Sequence, residues 1–147
     1  MFVVFDLDGT LSLNAHRQHF LEQVPKRWDE WHAACAEDPP CLPVIETLRL
    51  YYAARPAHRV EIWSGRSDVV RRETERWLLQ QGINPLLLKR MRPAKDHRPD
   101  VDLKRKWLCE ARANGGAPDL VYDDRDRVVA MWREEGVRCF QVAPGPF

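Results

Sequence analysis

The feature that most constrains this fold is Phe2-Val3-Val4-Phe5, an unbroken apolar run that ends at Asp6-Leu7-Asp8-Gly9-Thr10. β-Branched and aromatic residues in succession read as a strand covered on both faces, delivering acids at its carboxyl end. Asp6 and Asp8 lie two residues apart, so both are expected to project to the same side of an extended chain. Gly9 lets the backbone turn away sharply behind them.

The rest of the chain alternates helical and strand signals. Residues 15–35 are predicted helical with a break near Pro25, and Ala36-Glu37-Asp38-Pro39-Pro40 stops that stretch. Residues 44–54 read as an amphipathic helix. Arg59 to Trp63 is predicted as the second strand, ending at Ser64-Gly65-Arg66. A helix follows over 68–81, closed by Gly82. Leu86 to Leu88 reads as a short third strand and Lys89-Arg90-Met91-Arg92 as a basic loop. Residues 100–113 form a predicted helix, 120–122 a fourth strand ending at Asp123-Asp124, 127–135 a helix closed by Gly136, and 137–142 a fifth strand. This alternation predicts an α/β fold, a Rossmann-like, doubly wound, parallel five-stranded sheet. Ligands of such sheets bind at the carboxyl ends of the strands, near the switch in strand order. Asp6, Asp8, Ser64, Arg66, Asp123 and Asp124 all fall just past a predicted strand end.

Four carboxylates gathered at that edge would repel one another by several kcal/mol, about 4 per pair at close range in a partly buried site. A divalent cation is the natural remedy, and hard oxygen ligands favour Mg²⁺. A carboxylate can also act as a nucleophile and carry a phosphoryl group. Ser64, backbone N–H groups near Gly9 and Gly65, and a cation such as Lys104 would neutralise a phosphate held there. Asp8 is then placed to protonate a leaving oxygen and later to activate water.

Composition bounds the alternatives. A chain of 147 residues, 44% hydrophobic and 31% charged, fits one globular domain. The formal net charge of +1 supplies no global pull towards nucleic acid, so anion binding must come from local clusters. The four cysteines, Cys35, Cys41, Cys109 and Cys139, form no CxxC or zinc-finger spacing and read as reduced, mostly buried thiols. The apolar start is too short for a signal peptide or a membrane span, so a cytosolic setting without a membrane partner is expected. No GxxxxGK[ST] occurs, so P-loop kinase chemistry is not expected.

Asp6-Leu7-Asp8-Gly9-Thr10-Leu11 at the end of an apolar strand resembles the first motif of the haloacid dehalogenase (HAD) superfamily of phosphatases. The likeness extends to the 3′-phosphatase domain of bacteriophage polynucleotide kinase-phosphatase. It runs through Ser64-Gly65-Arg66, Asp96-x-Arg98-x-Asp100-x-x-x-Lys104, and Asp123-Asp124-Arg125-x-x-Val128-Val129-x-Met131-Trp132-Arg133. It ends with Cys139-Phe140-Gln141-Val142-Ala143-x-Gly145-x-Phe147. This resemblance implies one HAD-like phosphatase domain over 1–147, with a small helical cap at about 14–43. It implies Asp6 as nucleophile, Asp8 as general acid/base, and Ser64 and Lys104 as catalytic groups on the phosphate. It implies Mg²⁺ held by Asp6, Asp8 (through its backbone carbonyl) and Asp123, with Asp124 in support. Arg17, Arg66, Gly65, Gly9, Thr10 and Arg98 form the implied substrate-binding set. The implied substrate is a 3′-phosphorylated nucleic-acid end or a nucleotide, in a phage-encoded or bacterial cytosolic protein.

Bland readings stand beside these. Arg17 reads equally as part of an exposed helix face, and Arg98 as an exposed loop cation. Trp28, Trp31, Phe20 and Leu21 read as core, the alternative being that one tryptophan stacks on a nucleobase. Two other function classes use related features: a phospho-acceptor signalling module, and a catalytically silent binding protein on the same fold. Asp-x-Asp-Gly-Thr on the first strand disfavours the former, and four filled motifs disfavour the latter.

Overall fold

In the computed structural model, which describes residues 1–145, five strands form one wholly parallel sheet. They are β1 (Phe2–Phe5), β2 (Arg59–Ser67), β3 (Leu88–Arg92), β4 (Leu120–Asp123) and β5 (Arg138–Gln141), in the order β3-β2-β1-β4-β5. Pro146 and Phe147, the latter part of the C-terminal likeness noted above, lie outside the described residues. Five α-helices accompany the strands: α1 (Trp28–Ala33), α2 (Leu42–Ala53), α3 (Arg71–Gln80), α4 (Asp100–Ala113) and α5 (Asp126–Glu134).

The apolar run of β1 is continuous because both of its faces are covered. Val3 and Phe5 pack with Ile45 and Leu48 of α2 and with Trp77 and Leu78 of α3. Phe2 and Val4 pack on the other side with Leu103, Trp107 and Leu108 of α4 and with Val128, Val129 and Trp132 of α5. The chain winds outward from β1 to β3, then crosses back to start β4 on the other flank of β1. The switch in strand order therefore falls between β1 and β4, where such sheets open a crevice. Their register pairs Phe5 with Tyr122, and the Asp6 N–H donates to the Tyr122 carbonyl at 2.9 Å. Asp6 and Asp123 consequently leave the sheet side by side.

Three elements differ from expectation. β2 continues to Ser67, carrying Ser64-Gly65-Arg66 within the strand, and its pairing with β3 shifts register between Ser64 and Ser67. Such an irregularity bends the strand end and re-aims its side chains. The third strand is Leu88–Arg92; Pro85–Leu87 is a 3₁₀ turn whose N-cap, Asn84, accepts from the Leu86 N–H. The basic run is thus an edge strand, and the Arg90 guanidinium lies 4.7 Å from the centre of the Trp63 ring. A long side chain that covers apolar surface while its head stays polar explains why charge misled here. The stretch from Ala15 to Glu37 is α1 flanked by two 3₁₀ segments, Ala15–Phe20 and Ala34–Glu37, with Pro25 in the gap as expected.

Among the described residues no helix is long and apolar enough to cross a membrane. All four cysteines are free; Cys35 and Cys139 are buried, Cys41 is half-buried and Cys109 is exposed.

Trp77 ties the sheet layer to the insertion. It is 2% exposed, and its Nε1 donates to the Asp38 carbonyl at 2.7 Å. Trp77→Ala should destabilise the protein by about 3–5 kcal/mol through the cavity it leaves. Trp77→Phe should cost about 1–3 kcal/mol, chiefly through the orphaned carbonyl. Urea unfolding checks both values, and an alanine variant no worse than the phenylalanine one would contradict the packing role.

Candidate active site

The carboxyl ends of β1 and β4 bring Asp6, Asp123 and Asp124 together. They are 5%, 1% and 4% exposed, and one carboxylate oxygen from each lies within 4.8 Å of the others. Lys104 reaches this group from α4, its Nζ donating at 2.7 Å to Asp6 Oδ1 and at 2.7 Å to Asp123 Oδ2. Trp132 Nε1 adds a bond to Asp123 Oδ2 at 3.3 Å.

One ammonium does not neutralise three buried carboxylates. Burial pushes the Asp6 carboxyl well above its ordinary range; Lys104 opposes this, and the charges of Asp123 and Asp124 add to it. Burial and the neighbouring Asp123 charge push Asp124 up to about 6. Burial alone would lower Lys104, yet Asp123 and Asp6 outweigh it and raise its pKa, so the ammonium stays charged. The excess negative charge and the hard oxygen donors suit a small divalent cation.

Two glycines are required by close approach. Gly9 has φ +85°, and a Cβ there would fall 2.5 Å from Asp124 Cγ. At Gly65 a Cβ would fall 2.7 Å from Asp100 Oδ1. The loop after β1 and the end of β2 therefore press directly against acids of other elements.

Asp8 belongs to a different cluster. Its carboxylate accepts from Arg66 Nη2 at 2.6 Å, from Arg66 Nε at 3.1 Å and from Arg17 Nη2. Behind it, Arg17 Nε and Nη2 donate at 2.7 Å to the two oxygens of Asp38. Arg66 Nη2 also donates to Asp38 Oδ2 at 2.8 Å and to Ser12 Oγ at 3.1 Å. Arg17 lies flat over Trp31, 3.9 Å from the ring centre. Two guanidiniums thus face two carboxylates. Burial would raise the Asp8 carboxyl, but Arg66 and Arg17 outweigh it and hold it well below the usual range. Asp8 is ionised.

A cavity of about 650 Å³ opens over both clusters. Of the residues expected from sequence, Asp6, Asp8, Gly65, Arg98, Lys104 and Asp123 line it. Gly9, Thr10, Arg17, Ser64, Arg66 and Asp124 stand behind it. Two placements stand out. The Asp8 side chain is outside the three-carboxylate group, because the arginines draw it away. Arg17 and Arg66, 0% and 1% exposed, are saturated by acids, so they grip Asp8 instead of facing the cavity. Ser64 is fully buried and its Oγ accepts from the Arg66 N–H at 3.1 Å. Thr10 Oγ1 is buried without a partner among the described residues. Arg98 is exposed at the rim, its Nε on Asp96 Oδ1 at 2.8 Å.

Two acids matter that sequence reasoning did not single out. Asp38 anchors Arg17 and Arg66, and Asp100 accepts from Arg92 and Arg125 at the cavity rim. Asp38 sits in the helix-stopping stretch before Pro39, and no local spacing reveals its distant partners.

Residues 1–147 match the family described as the polynucleotide kinase PNKP phosphatase domain. The chain belongs to that family. Two solved structures, titled "Structure of Pnkp1/Rnl/Hen1 complex" and "Structure of the Pnkp1/Rnl/Hen1 RNA repair complex", are 31% and 30% identical, with TM-scores of 0.80 and 0.79. Each alignment covers 99% of this chain, which spans 46% and 43% of theirs. The class C acid phosphatase from Bacillus anthracis shares the fold at TM-score 0.66 and 19% identity, over 98% of this chain and 66% of its own. The HAD-type α/β fold expected from the motifs is borne out.

In this PNKP-type phosphatase domain the acid floor carries a measurable electrostatic load. Asp124 has a raised pKa, so its contribution to stability is full below the unfolded value near 3.8 and is lost as pH rises through about 6. Asp124→Asn should make the metal-free protein more stable at pH 7, by about 1–3 kcal/mol, and flatten the decline between those pH values. Urea unfolding in chelator at several pH values checks this; a loss of stability at pH 7 would contradict it.

Proposed function

We propose that this domain is a Mg²⁺-dependent phosphomonoesterase that removes 3′-phosphates from polynucleotide ends through an aspartyl-phosphate on Asp6. The observation that carries the chemistry is the placement of Asp6 at the cavity floor, one oxygen held by Lys104 within a triad of buried acids. The donor set fits the metal: Asp6, Asp123 and Asp124 would hold Mg²⁺, with the Asp8 backbone carbonyl as the further ligand. When bound, Mg²⁺ supplies positive charge to the phosphate oxygens and to the acids that face them.

The chain's own groups do the rest. An oxygen of Asp6 attacks phosphorus, the P–O(ester) bond breaks, and the leaving alkoxide takes a proton from the carboxyl of Asp8, which becomes a carboxylate. Lys104 fixes the direction of the Asp6 carboxylate and adds charge beside the transferring group. Water then attacks the phosphoryl group on Asp6, releasing phosphate and regenerating the carboxylate. Asp8, kept ionised by Arg66 and Arg17, is ready to take the proton of that water. The proton it gains there is the one it has to give to a leaving oxygen.

Two lines support the nucleic-acid end. One is the likeness to proteins whose titles name a Pnkp1/Rnl/Hen1 RNA repair complex. The other is the set of cations on the cavity wall, Arg92, Arg98, Lys104, Arg125 and Arg127, which stand among six acids; of these cations Arg127 has no acid partner among the described residues. The second reading is hydrolysis of free (deoxy)nucleoside monophosphates. It is favoured by a cavity volume of about 650 Å³, room enough for a single nucleotide, and by the near-neutral charge.

Asp6→Asn should keep the fold by circular dichroism and lose phosphate release by about 10³-fold or more. Full activity in that variant would refute the nucleophile assignment. Chelation should abolish turnover, and Mg²⁺ should raise the wild-type Tm by mass action while scarcely moving that of Asp124→Asn. Comparing a 3′-phosphorylated oligonucleotide with 3′- and 5′-mononucleotides separates the two substrate readings.

A further inference from the structure

The six tryptophans divide sharply by exposure. Trp31, Trp63, Trp77, Trp107 and Trp132 are 6% exposed or less, whereas Trp28 is 49% exposed. Other exposed apolar side chains, such as Leu42, Leu50, Leu79 and Leu86, lie away from the cavity; Trp28 lines it, together with the acids of the floor. We propose that Trp28 is the stacking platform for the nucleobase of the substrate's terminal nucleotide. This rests on the reading above that the substrate is a nucleotide or a nucleic-acid end.

The platform is fixed to the reacting centre. Trp28 meets Trp31 edge-on, ring centres 5.9 Å apart at 77°. Trp31 in turn lies over Arg17, and Arg17 holds Asp8. A group resting on Trp28 is therefore positioned relative to the reacting carboxylates by a packed chain of side chains, even though α1 is short.

Charge selects among the possible flat, apolar occupants. The same cavity is lined by Arg92, Arg98, Arg125 and Arg127; Arg92 and Arg125 pair with Asp100 and Arg98 with Asp96, so the cation left to attract an anion is Arg127. Arg127 is exposed and makes no hydrogen bond or ion pair among the described residues. A lone guanidinium at the rim fits a phosphate further along a polynucleotide. A flat π-surface in the cavity that also holds this guanidinium matches a nucleotide and does not match a sugar phosphate or a lipid. Stacking tolerates every base, so the platform gives affinity for a base-bearing end with little sequence preference.

The test is a binding cycle in an Asp6→Asn background with Mg²⁺ present, so that turnover does not interfere. The ligands are single-stranded oligonucleotides with a 3′-phosphate, alike except that the terminal nucleotide either carries its base or is abasic. With Trp28 intact, loss of the base should weaken binding about 10-fold or more. In Trp28→Ala, and in Trp28→Leu, which keeps apolar bulk but cannot stack, that difference should fall to about 2-fold or less. Equal weakening of both ligands by both substitutions would mark a structural role and overturn the proposal. So would a base that makes no difference with Trp28 intact, or no binding of either oligonucleotide. Failure of the phosphatase reading would show separately, as no phosphate release from the 3′-phosphorylated oligonucleotide by protein that retains Asp6.

Discussion

Everything at this site hangs on Lys104 and the two acids it bridges. A lysine at 3% exposure is tolerated only where its charge is matched, and Asp6 and Asp123 match it at 2.7 Å each. The three residues come from β1, β4 and α4, so the contact joins the two central strands to the helix that covers them. Without the ammonium, neighbouring carboxylates would repel by about 4 kcal/mol per pair at an effective dielectric near 20. The close fits at Gly9 and Gly65 follow from the same demand. The loop after β1 comes against Asp124 and the end of β2 against Asp100, and a Cβ at either glycine would meet that carboxylate.

Two charge clusters sit side by side with opposite accounts. Asp8 and Asp38 match Arg17 and Arg66 charge for charge, with His16 Nε2 also 2.9 Å from Asp38 Oδ1. Asp6, Asp123 and Asp124 against Lys104 leave an excess of negative charge. The difference sorts their roles. A balanced, saturated network is rigid and has no reason to recruit anything; it holds Asp8 in one orientation. An unbalanced one is unfavourable alone, and a cation there would relieve it.

Legibility in the sequence followed the range of the interactions. The run Phe2–Phe5 and the acids after it were readable because a doubly covered strand leaves a local pattern and because the strand end is adjacent in sequence. Asp123 and Asp124 were readable for the same reason. Leu86 and Leu87 were misread because apolar content suggested a strand, while Asn84 caps a turn there and leaves Leu86 exposed. Arg90 and Arg92 were read as loop because charge masked an edge strand whose guanidiniums lie over Trp63 and against Asp100. Asp38 was not legible as part of the site. Its partners are 21 and 28 residues away, and only the folded insertion brings them to it.

The insertion between β1 and α2 is thus not a detachable lid. Arg17 and Asp38, at its two ends, are half of the closed charge set, and Trp77 of α3 bonds to the Asp38 carbonyl. Replacing either end would leave a buried charge without its partner, a cost of several kcal/mol that falls on the whole domain. Freedom to vary is confined to what the insertion shows the cavity, the outward side chains of α1 with Trp28 among them. The buried ends of the segment hold the frame around Asp8, and its middle faces the cavity, so the two can vary independently.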